Sequence, residues 1–318
     1  MDVKKYGLLE QIQPSIKDWR AGGITGKTKV ILREDGDYSK FLPEKEYQKA
    51  VLFDSYSCIT FSALNCIETI AKVQYGLDWN LSDRFTAKMS NTTKNGNYFA
   101  YVAESIRKHG VVNEEVWPFP RKQISPAYTW DNHYEDIPDE VRAEGLKWLE
   151  EWKVEWEWVP MRLIPEHLKY GPMQVGVLAW PYKKNGLYHD GGDIRRNHGV
   201  MYYNHEEDYE EIYDHYDDVK KKLVPGYDFR SAIQFSLIKI NKEGMPNITL
   251  PNDVLVQEVE KSGSFALHLN GKLIVDDLDK ILASWFMRNK GDVRERTIAI
   301  KRADWDSFEK VDLKNNSL

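Results

Sequence analysis

The hydrophobic pattern of this chain changes once, from helix-type to strand-type spacing, and this change limits the folds open to it. Over residues 57–75 apolar side chains recur close to every 3.6 residues, which predicts a helix. Similar patterns predict a helix start at 81–85 and helices over 97–109 and 138–158. Strand-like runs then follow at 173–180, 199–203, 211–213 and 229–240. Helices first and strands second predict an α+β fold with two lobes.

The last part of the chain has its own pattern. Short strands are predicted near Val254–Val259, Ser264–Leu269 and Thr297–Ala299, with a helix near Asp277–Arg288. We therefore expect a main domain over residues 1–240, with a helical lobe at about 50–158 and a β lobe at about 159–240. Residues 241–318 form a small C-terminal α+β segment, which is either a module that docks a protein partner or an extension packed on the main domain.

The cysteine content argues against a disulfide framework and against zinc. The 318 residues contain two cysteines, Cys58 and Cys66. On one helix they would lie about 12 Å apart, whereas a disulfide needs Cα atoms within about 7 Å. Both thiols are expected to be free, which suits a reducing compartment rather than a secreted, disulfide-rich protein. The chain has no Cys-X-X-Cys pair or dense His/Cys cluster, so no metal and no cofactor are expected.

Charge and hydropathy argue against nucleic-acid binding and against a membrane span. The net charge of −6 gives no reason to expect nucleic-acid binding. No window of about 18 apolar residues is present, so no membrane span is expected. The first residues, Met1–Lys5, lack the apolar core of a signal peptide.

Cys58 is a candidate nucleophile because it lies where the first helix should begin. Ser57 is placed to cap that helix through its side-chain oxygen. A thiol at a helix N-terminus experiences the positive end of the helix dipole, which favours the reactive thiolate. The alternative is that Cys58 is a small, buried apolar residue. Cys66 falls within the helix and is expected to be a core residue.

His198 is the candidate general base, and Asp214 is the candidate group that orients it. His198 opens an apolar strand, so its ring can point into a cleft while Val200 and Met201 anchor the strand. Asp214 follows a short strand and is a suitable acceptor for a ring N–H. The alternatives are that His198 is an ordinary histidine and that Asp214 is one of many solvated acids between Glu206 and Asp218.

Several segments resemble, in the same order, the motifs of papain-like cysteine peptidases. The 140-residue gap from Cys58 to His198 matches the known gap of about 130–150 residues. The resemblance covers about residues 14–238. The similar segments are 57–63 (family Ser-Cys-Trp-Ala-Phe-Ser), 81–85 (Leu-Ser-Glu-Gln), 95–97 (Asn-Gly-Gly), 106–111 with 117–119 (ending in Tyr-Pro-Tyr), 171–177 (Gly-Pro-Val-Ser-Val), 197–200 (the histidine motif) and 212–216 (Asn-Ser-Trp).

This resemblance implies a papain-like two-lobed fold, with a helical N-terminal lobe and an antiparallel, β-barrel-like C-terminal lobe. It implies a cysteine-type peptidase that hydrolyses peptide bonds of a peptide or protein substrate through an acyl-enzyme intermediate. The catalytic set would be Cys58, His198 and Asp214. The loop Asn95, Gly96 and Asn97 would hold the substrate backbone.

The sequence departs from the family pattern at several positions. Ile59 replaces the usual Trp, and Asp214 replaces the usual Asn. The glutamine that stabilises the oxyanion normally lies six residues before the cysteine, where this chain has Leu52. Gln48 would fill that role if the intervening loop is longer; otherwise it is a surface residue. A typical inhibitory pro-segment and disulfides are not visible, which resembles intracellular or phage-encoded relatives and predicts a cytoplasmic or virion-associated location.

Two other functions stay open at this point. The missing Trp, the shifted Gln and the extra C-terminal segment also fit a catalytically degenerate papain-like protein with a structural or docking role, for instance in a phage particle. A cell-wall amidase or a transglutaminase would also use Cys and then His in this chain order. The spacing between those two residues is much shorter in those families, which disfavours them.

Overall fold

The computed structural model describes residues 7–9, 30–49, 53–120, 127–216 and 219–240, together with the backbone of five strands between residues 254 and 312. The chain divides into two compact units, Met1–Lys239 and Ile240–Leu318. Among the described residues, no helix combines the length and the apolar character needed to cross a membrane.

The helices of the first unit come mainly before its strands, as the pattern predicts. Every residue of the first helix from Cys58 to Ala71 is buried, which explains why it is apolar on most sides. Gly76 ends this helix in the left-handed conformation, with φ of 68°. In the described residues the helices are α1 (Cys58–Tyr75), α2 (Asp83–Met89), α3 (Phe99–His109), α4 (Trp130–His133), α5 (Asp139–Trp148) and α6 (Ile164–His167), with 3₁₀ turns at Met161–Leu163 and Leu168–Tyr170.

The strands of the first unit form an eight-stranded sheet in the described residues. Its order is β1-β8-β2-β5-β6-β7-β4-β3. Neighbouring strands run antiparallel, except that β4 and β7 are parallel where Tyr188 faces Leu223. The strands are β1 (Trp152–Trp158), β2 (Met173–Val177), β3 (Tyr182–Lys184), β4 (Leu187–His189), β5 (His198–Glu206), β6 (Tyr209–Tyr213), β7 (Lys220–Leu223) and β8 (Ala232–Lys239). The α+β class is therefore confirmed, and the sheet is mixed rather than wholly antiparallel.

The predicted helix over residues 138–158 is wrong in its second half. The helix α5 ends at Trp148, and Trp152–Trp158 form the strand β1 instead. In this strand buried residues alternate with more exposed ones, which is the period of a strand. It pairs with β8 from Trp152 opposite Lys239 to Trp158 opposite Ile233. The boundary predicted at about residue 158 therefore falls too late, because β1 belongs to the sheet.

The second unit contains a five-stranded sheet of order β12-β9-β10-β11-β13 in its described residues. Three of these strands agree with the prediction, and two, at 272–275 and 310–312, were not predicted. The helix predicted near Asp277–Arg288 lies outside the described residues. A docking role for this unit stays a prediction. The strands are β9 (Val254–Glu258), β10 (Phe265–Leu269), β11 (Lys272–Val275), β12 (Thr297–Ile300) and β13 (Lys310–Asp312).

The helix α1 packs directly on β5, and a glycine allows the close approach. A side chain at Gly199 would place its Cβ 2.6 Å from Cδ1 of Ile59 and 3.1 Å from the ring of Phe99. Real side chains do not tolerate such a distance without movement of the neighbours. The N-terminus of α1 therefore lies against the start of β5, which brings two distant parts of the chain together.

Candidate active site

The register of the sheet places His198 beside Asp214. The strand β5 begins at His198, and β6 ends at Tyr213, just before Asp214. The two strands are antiparallel, with Met201 opposite Tyr213, so the start of one lies beside the end of the other. Nε2 of His198 lies 2.7 Å from Oδ1 of Asp214, and both side chains are fully buried.

The Asp214 carboxylate lies at the centre of a buried hydrogen-bond network. Besides the His198 ring, three groups donate to it. Burial raises the pKa of Asp214, but the neighbouring His198, His215 and Lys221 outweigh burial and hold this pKa below its usual range. The carboxylate is therefore ionised at neutral pH. The three further donors are the backbone N–H of His215 (2.7 Å, to Oδ1), Nε1 of Trp180 (3.0 Å, to Oδ2) and Nζ of Lys221 (2.8 Å, to Oδ2).

Cys58 is the first residue of α1 and is fully buried. Ser57 is the N-cap residue of α1, as predicted, but its side chain makes no capping hydrogen bond; its Oγ lies 2.5 Å from Oγ of Ser55 instead. Gly199 packs against Ile59, the residue after Cys58, and its backbone N–H acts to lower the pKa of the Cys58 thiol. Because Gly199 follows His198 directly, the thiol lies beside the start of β5, next to the histidine and its carboxylate.

Burial changes the ionisation expected for this thiol. Desolvation raises the pKa of Cys58, and the negative charges of Asp54 and Asp214 act in the same direction. Backbone hydrogen bonds from Gly199 and Ile59 lower the pKa by less. The net effect is a pKa above the ordinary value, whereas the position at the helix N-terminus alone predicted the reverse. The thiol form therefore predominates at neutral pH in this arrangement.

Gln48 is buried next to the site rather than lying on the surface. Its Nε2 donates to Oδ1 of Asp54 at 2.9 Å and to Oη of Tyr216 at 2.7 Å. Tyr216 in turn donates to Asp54. An amide nitrogen carries two hydrogens, and both are used in these bonds. To stabilise an oxyanion, Gln48 would have to exchange one of these bonds, so that role stays a prediction.

The predicted substrate loop holds a piece of the chain itself. The backbone N–H of Asn97 donates to the carbonyl of Gly7 at 2.9 Å, and the N–H of Leu9 donates to the carbonyl of Asn97 at 2.9 Å. The N–H of Leu8 donates to the carbonyl of Asn197, next to His198, at 3.3 Å. Residues 7–9 thus lie as a short extended segment between the Asn97 loop and the start of β5.

Close contacts fix this segment on both sides. A side chain at Gly96 would overlap the carbonyl oxygen of Gly7, and one at Gly7 would overlap the carbonyl oxygen of Tyr56. Leu8 is buried, with 8% of its surface exposed, and a side chain at Gly176 of β2 would contact it at 3.3 Å. The loop residue Asn95 is exposed and turns the chain between Thr93 and Gly96.

One cluster in the described residues has ligand atoms close enough for a metal ion. The ligand atoms of His198, Asp214 and His215 lie within 4.8 Å of one another. The Lys221 ammonium already lies 2.8 Å from Asp214, and Nε2 of His215 lies 3.0 Å from the carbonyl of Gly199. A second cation would be repelled by the first, so the arrangement favours a hydrogen-bond network over a metal centre.

Two contributors to the site had no role in the sequence interpretation, Trp180 and Lys221. The sequence pattern predicts a strand that includes Trp180, whereas this residue lies beyond the end of β2 and its indole N–H donates to Asp214. Lys221 lies in a run of three lysines, a sequence pattern that is typical of an exposed segment. The period of β7 was the available signal, because Lys221 shares the inward face of that strand with Leu223.

Comparisons with known proteins concern the fold. No model of a known protein family matches the sequence, and no curated protein matches it. The structure is similar to procathepsin L 3 of Tenebrio molitor larval midgut, with a TM-score of 0.49 and 14% identity over 69% of this chain and 74% of that chain. It is also similar to the cysteine protease CMS1MS2 of Carica candamarcensis, with a TM-score of 0.44 and 15% identity over 63% and 96%.

A further similar structure is bromelain of Ananas comosus, with a TM-score of 0.44 and 14% identity over 63% of this chain and 97% of that chain. These similarities, at TM-scores of 0.44–0.49 and identities of 14–15%, assign neither a family nor an activity to this chain. What the site does is therefore argued from its own geometry.

Proposed function

We propose that this protein is a cysteine peptidase in which Cys58 is the nucleophile, His198 the general base and Asp214 the group that orients the base. The observation that carries this proposal is the meeting of three chain segments: the N-terminus of α1, the start of β5 and the end of β6. Gly199, which follows His198, packs against Ile59, which follows Cys58, and His198 lies 2.7 Å from Asp214. A nucleophile, a base and an orienting carboxylate are the parts that acyl transfer needs.

The geometry assigns each ring nitrogen of His198 a task. Nε2 faces Asp214, so proton exchange with the Cys58 thiol falls to Nδ1. The thiolate then attacks the peptide carbonyl, and His198 returns the proton to the leaving amine. Water then attacks the acyl-enzyme while His198 accepts its proton, which releases the acyl product and restores the Cys58 thiol. The N–H of Cys58, at the first position of α1, is one of the groups without a partner inside the helix and is suited to stabilise the oxyanion.

The segment Gly7–Leu9 supports a peptide as substrate. Its main chain is held by hydrogen bonds to the Asn97 loop on one side and to the carbonyl of Asn197, next to His198, on the other. These bonds use backbone groups of the bound segment, which any peptide possesses. The space between the Asn97 loop and the start of β5, called the groove below, also accepts an aliphatic residue, because the side chain of Leu8 is buried there. A cytoplasmic or virion-associated location stays a prediction.

The two free cysteines provide a matched test. Both Cys58 and Cys66 are buried on α1, but only Cys58 has the site around it. Cys58→Ala is expected to abolish cleavage of a peptide library and labelling by an epoxide thiol probe. Cys66→Ala is expected to retain both. Cleavage that persists in Cys58→Ala, or labelling that is lost only in Cys66→Ala, would refute the assignment.

One observation favours the catalytically degenerate alternative, a structural or docking protein. The Cys58 thiol is fully buried and its pKa is raised, which opposes formation of the thiolate. Measurement of the rate of thiol alkylation against pH distinguishes the two functions. Alkylation of Cys58 that begins below pH 7 supports the peptidase, whereas alkylation only above the ordinary thiol pKa of about 8.5, with no peptide cleavage, supports the degenerate protein.

A further inference from the structure

The strand β7 places a lysine side chain inside the protein, directly behind the His198–Asp214 pair. Burial along β7 alternates, so Lys220 and Lys222 face outward while Lys221 faces inward with Leu223. Nζ of Lys221 lies 2.8 Å from Oδ2 of Asp214, and both side chains are almost fully buried. The same ammonium lies 5.1 Å from the ring centroid of Trp180. A buried ammonium is costly unless it is paired, so this position is specific.

We propose that Lys221 is a positioning residue of the proposed peptidase site. Its ammonium balances the charge of the Asp214 carboxylate, so that this carboxylate orients the His198 ring as a neutral hydrogen-bond acceptor would. This inference rests on the proposed function. Lys221 and Trp180 occupy Oδ2, which turns Oδ1 toward the ring of His198. The carboxylate thus has one oxygen for charge balance and one for the imidazole.

The charge balance matters because the group in contact with the His198 ring is a buried carboxylate. An unbalanced carboxylate 2.7 Å from the ring would hold the proton on the imidazolium, which then protonates the leaving amine less readily. The ammonium of Lys221 offsets that charge. The Asp214 carboxylate and the inward lysine of β7 therefore act as a pair.

The other titratable groups around the pair do not supply this charge. Burial lowers the pKa of His215 to about 3, so its ring is neutral at physiological pH. Burial also raises the pKa of Tyr216 and that of Cys58, so the phenol and the thiol are both neutral at physiological pH. Asp54 lies beside Tyr216, and its negative charge cannot balance that of Asp214. Lys221 is thus the cationic side chain in hydrogen-bond contact with Asp214.

A double-substitution cycle in the full chain tests this inference. Lys221→Met leaves the carboxylate unbalanced, and the alkaline limb of the kcat/KM profile should move up by on the order of one pH unit. Asp214→Asn leaves the ammonium unbalanced, and the same limb should move down. Each single variant should lose about 10- to 100-fold in kcat/KM. The double variant should recover to within about 10-fold of wild type, with the alkaline limb near its original position.

Lys222→Met is the matched control, because Lys222 is the neighbouring lysine on the outward face of β7. It should leave the profile unchanged. A Lys221→Met profile identical to that of wild type, or a double variant less active than either single one, would overturn the inference. If a single variant fails to fold, the double variant still decides, because it removes both buried charges together.

A second readout separates this inference from the proposed function. The His198 ring resonances can be followed by NMR against pH in the wild type and in each variant, whether or not the protein cleaves peptides. A titration midpoint that rises in Lys221→Met and returns in the double variant supports the charge balance, even for an inactive wild type. An unchanged midpoint in Lys221→Met overturns the inference, even for an active enzyme.

Discussion

The segment Gly7–Leu9 should compete with substrate for the groove, and Leu8→Asp tests this directly. Leu8 is 8% exposed, and burial of a leucine side chain contributes about 1.5–3 kcal/mol. An aspartate at this position loses that contribution and adds the cost of burying a charge. The three backbone bonds to Asn97 and Asn197, which contribute about 0.5–1.5 kcal/mol each, are available to both variants and so do not offset this difference.

A loss of 1.5–3 kcal/mol corresponds to an increase of roughly 10- to 100-fold in the population with an open groove. The rate at which an epoxide thiol probe labels Cys58 should rise by the same factor and level off once the groove is mostly open. Labelling is measured by mass spectrometry under conditions where the probe is in excess. The melting temperature of each variant is recorded alongside, so that global unfolding is recognised.

Leu9→Asp is the control, because Leu9 is half-buried and contributes its backbone N–H rather than its side chain to the loop contact. It introduces the same charge one residue further on. Its labelling rate should stay within about threefold of wild type. Equal rates in Leu8→Asp and wild type would show that the segment does not limit access to the thiol, and the reasoning from burial would be wrong.

Two predictions concern stability. Burial, with a smaller effect of Arg84, lowers the pKa of His133 to about 3, whereas an unfolded histidine has a pKa of about 6.5. Between these values the unfolded chain binds a proton that the folded chain does not, so this residue makes the free energy of unfolding fall as pH drops below about 6.5, by about 1.4 kcal/mol per pH unit. Phe suits this position because His133 packs against Phe53 and Phe119. His133→Phe should therefore reduce the slope of the free energy of unfolding against pH, measured by urea unfolding at pH 4–6, by that amount. An unchanged slope would contradict this prediction. Gly199→Ala should destabilise the protein by about 1–3 kcal/mol, because the added methyl group overpacks against Cδ1 of Ile59. Ile59→Val lacks that carbon and should restore part of the loss in the double variant. Equal stabilities of Gly199→Ala and wild type would contradict the close approach.

The order of elements and the place of the site could be predicted from the sequence because both depend on local signals. The period of α1 and the apolar run after His198 are visible in the residues themselves. The strand β1 was missed because its alternation of Trp with charged residues follows a true helix without a glycine or proline between them. Helix and strand periods are hard to separate over seven residues, and pairing with β8 decides the outcome.

The chemistry of the site was less accessible than its location. A helix N-terminus predicts a stabilised thiolate at Cys58, but complete burial depends on the packing of β5 against α1, which no local pattern reports. The partner of Asp214 depends on which face of β7 points inward. That face is set by the pairing of β7 with β6, where Lys221 lies opposite Ile212.

His198, the proposed base, and Asp214 are carried by one hairpin, whereas the Cys58 thiol is carried by a helix 140 residues earlier. The distance between His198 and Asp214 is therefore set by the ladder between β5 and β6 and does not depend on the length of chain that precedes them. Insertions between α1 and β5 would leave this half of the site intact, provided that Gly199 still contacts the helix. The spacing of this pair is thus a property of the hairpin, and the intervening loops can change in length without altering it.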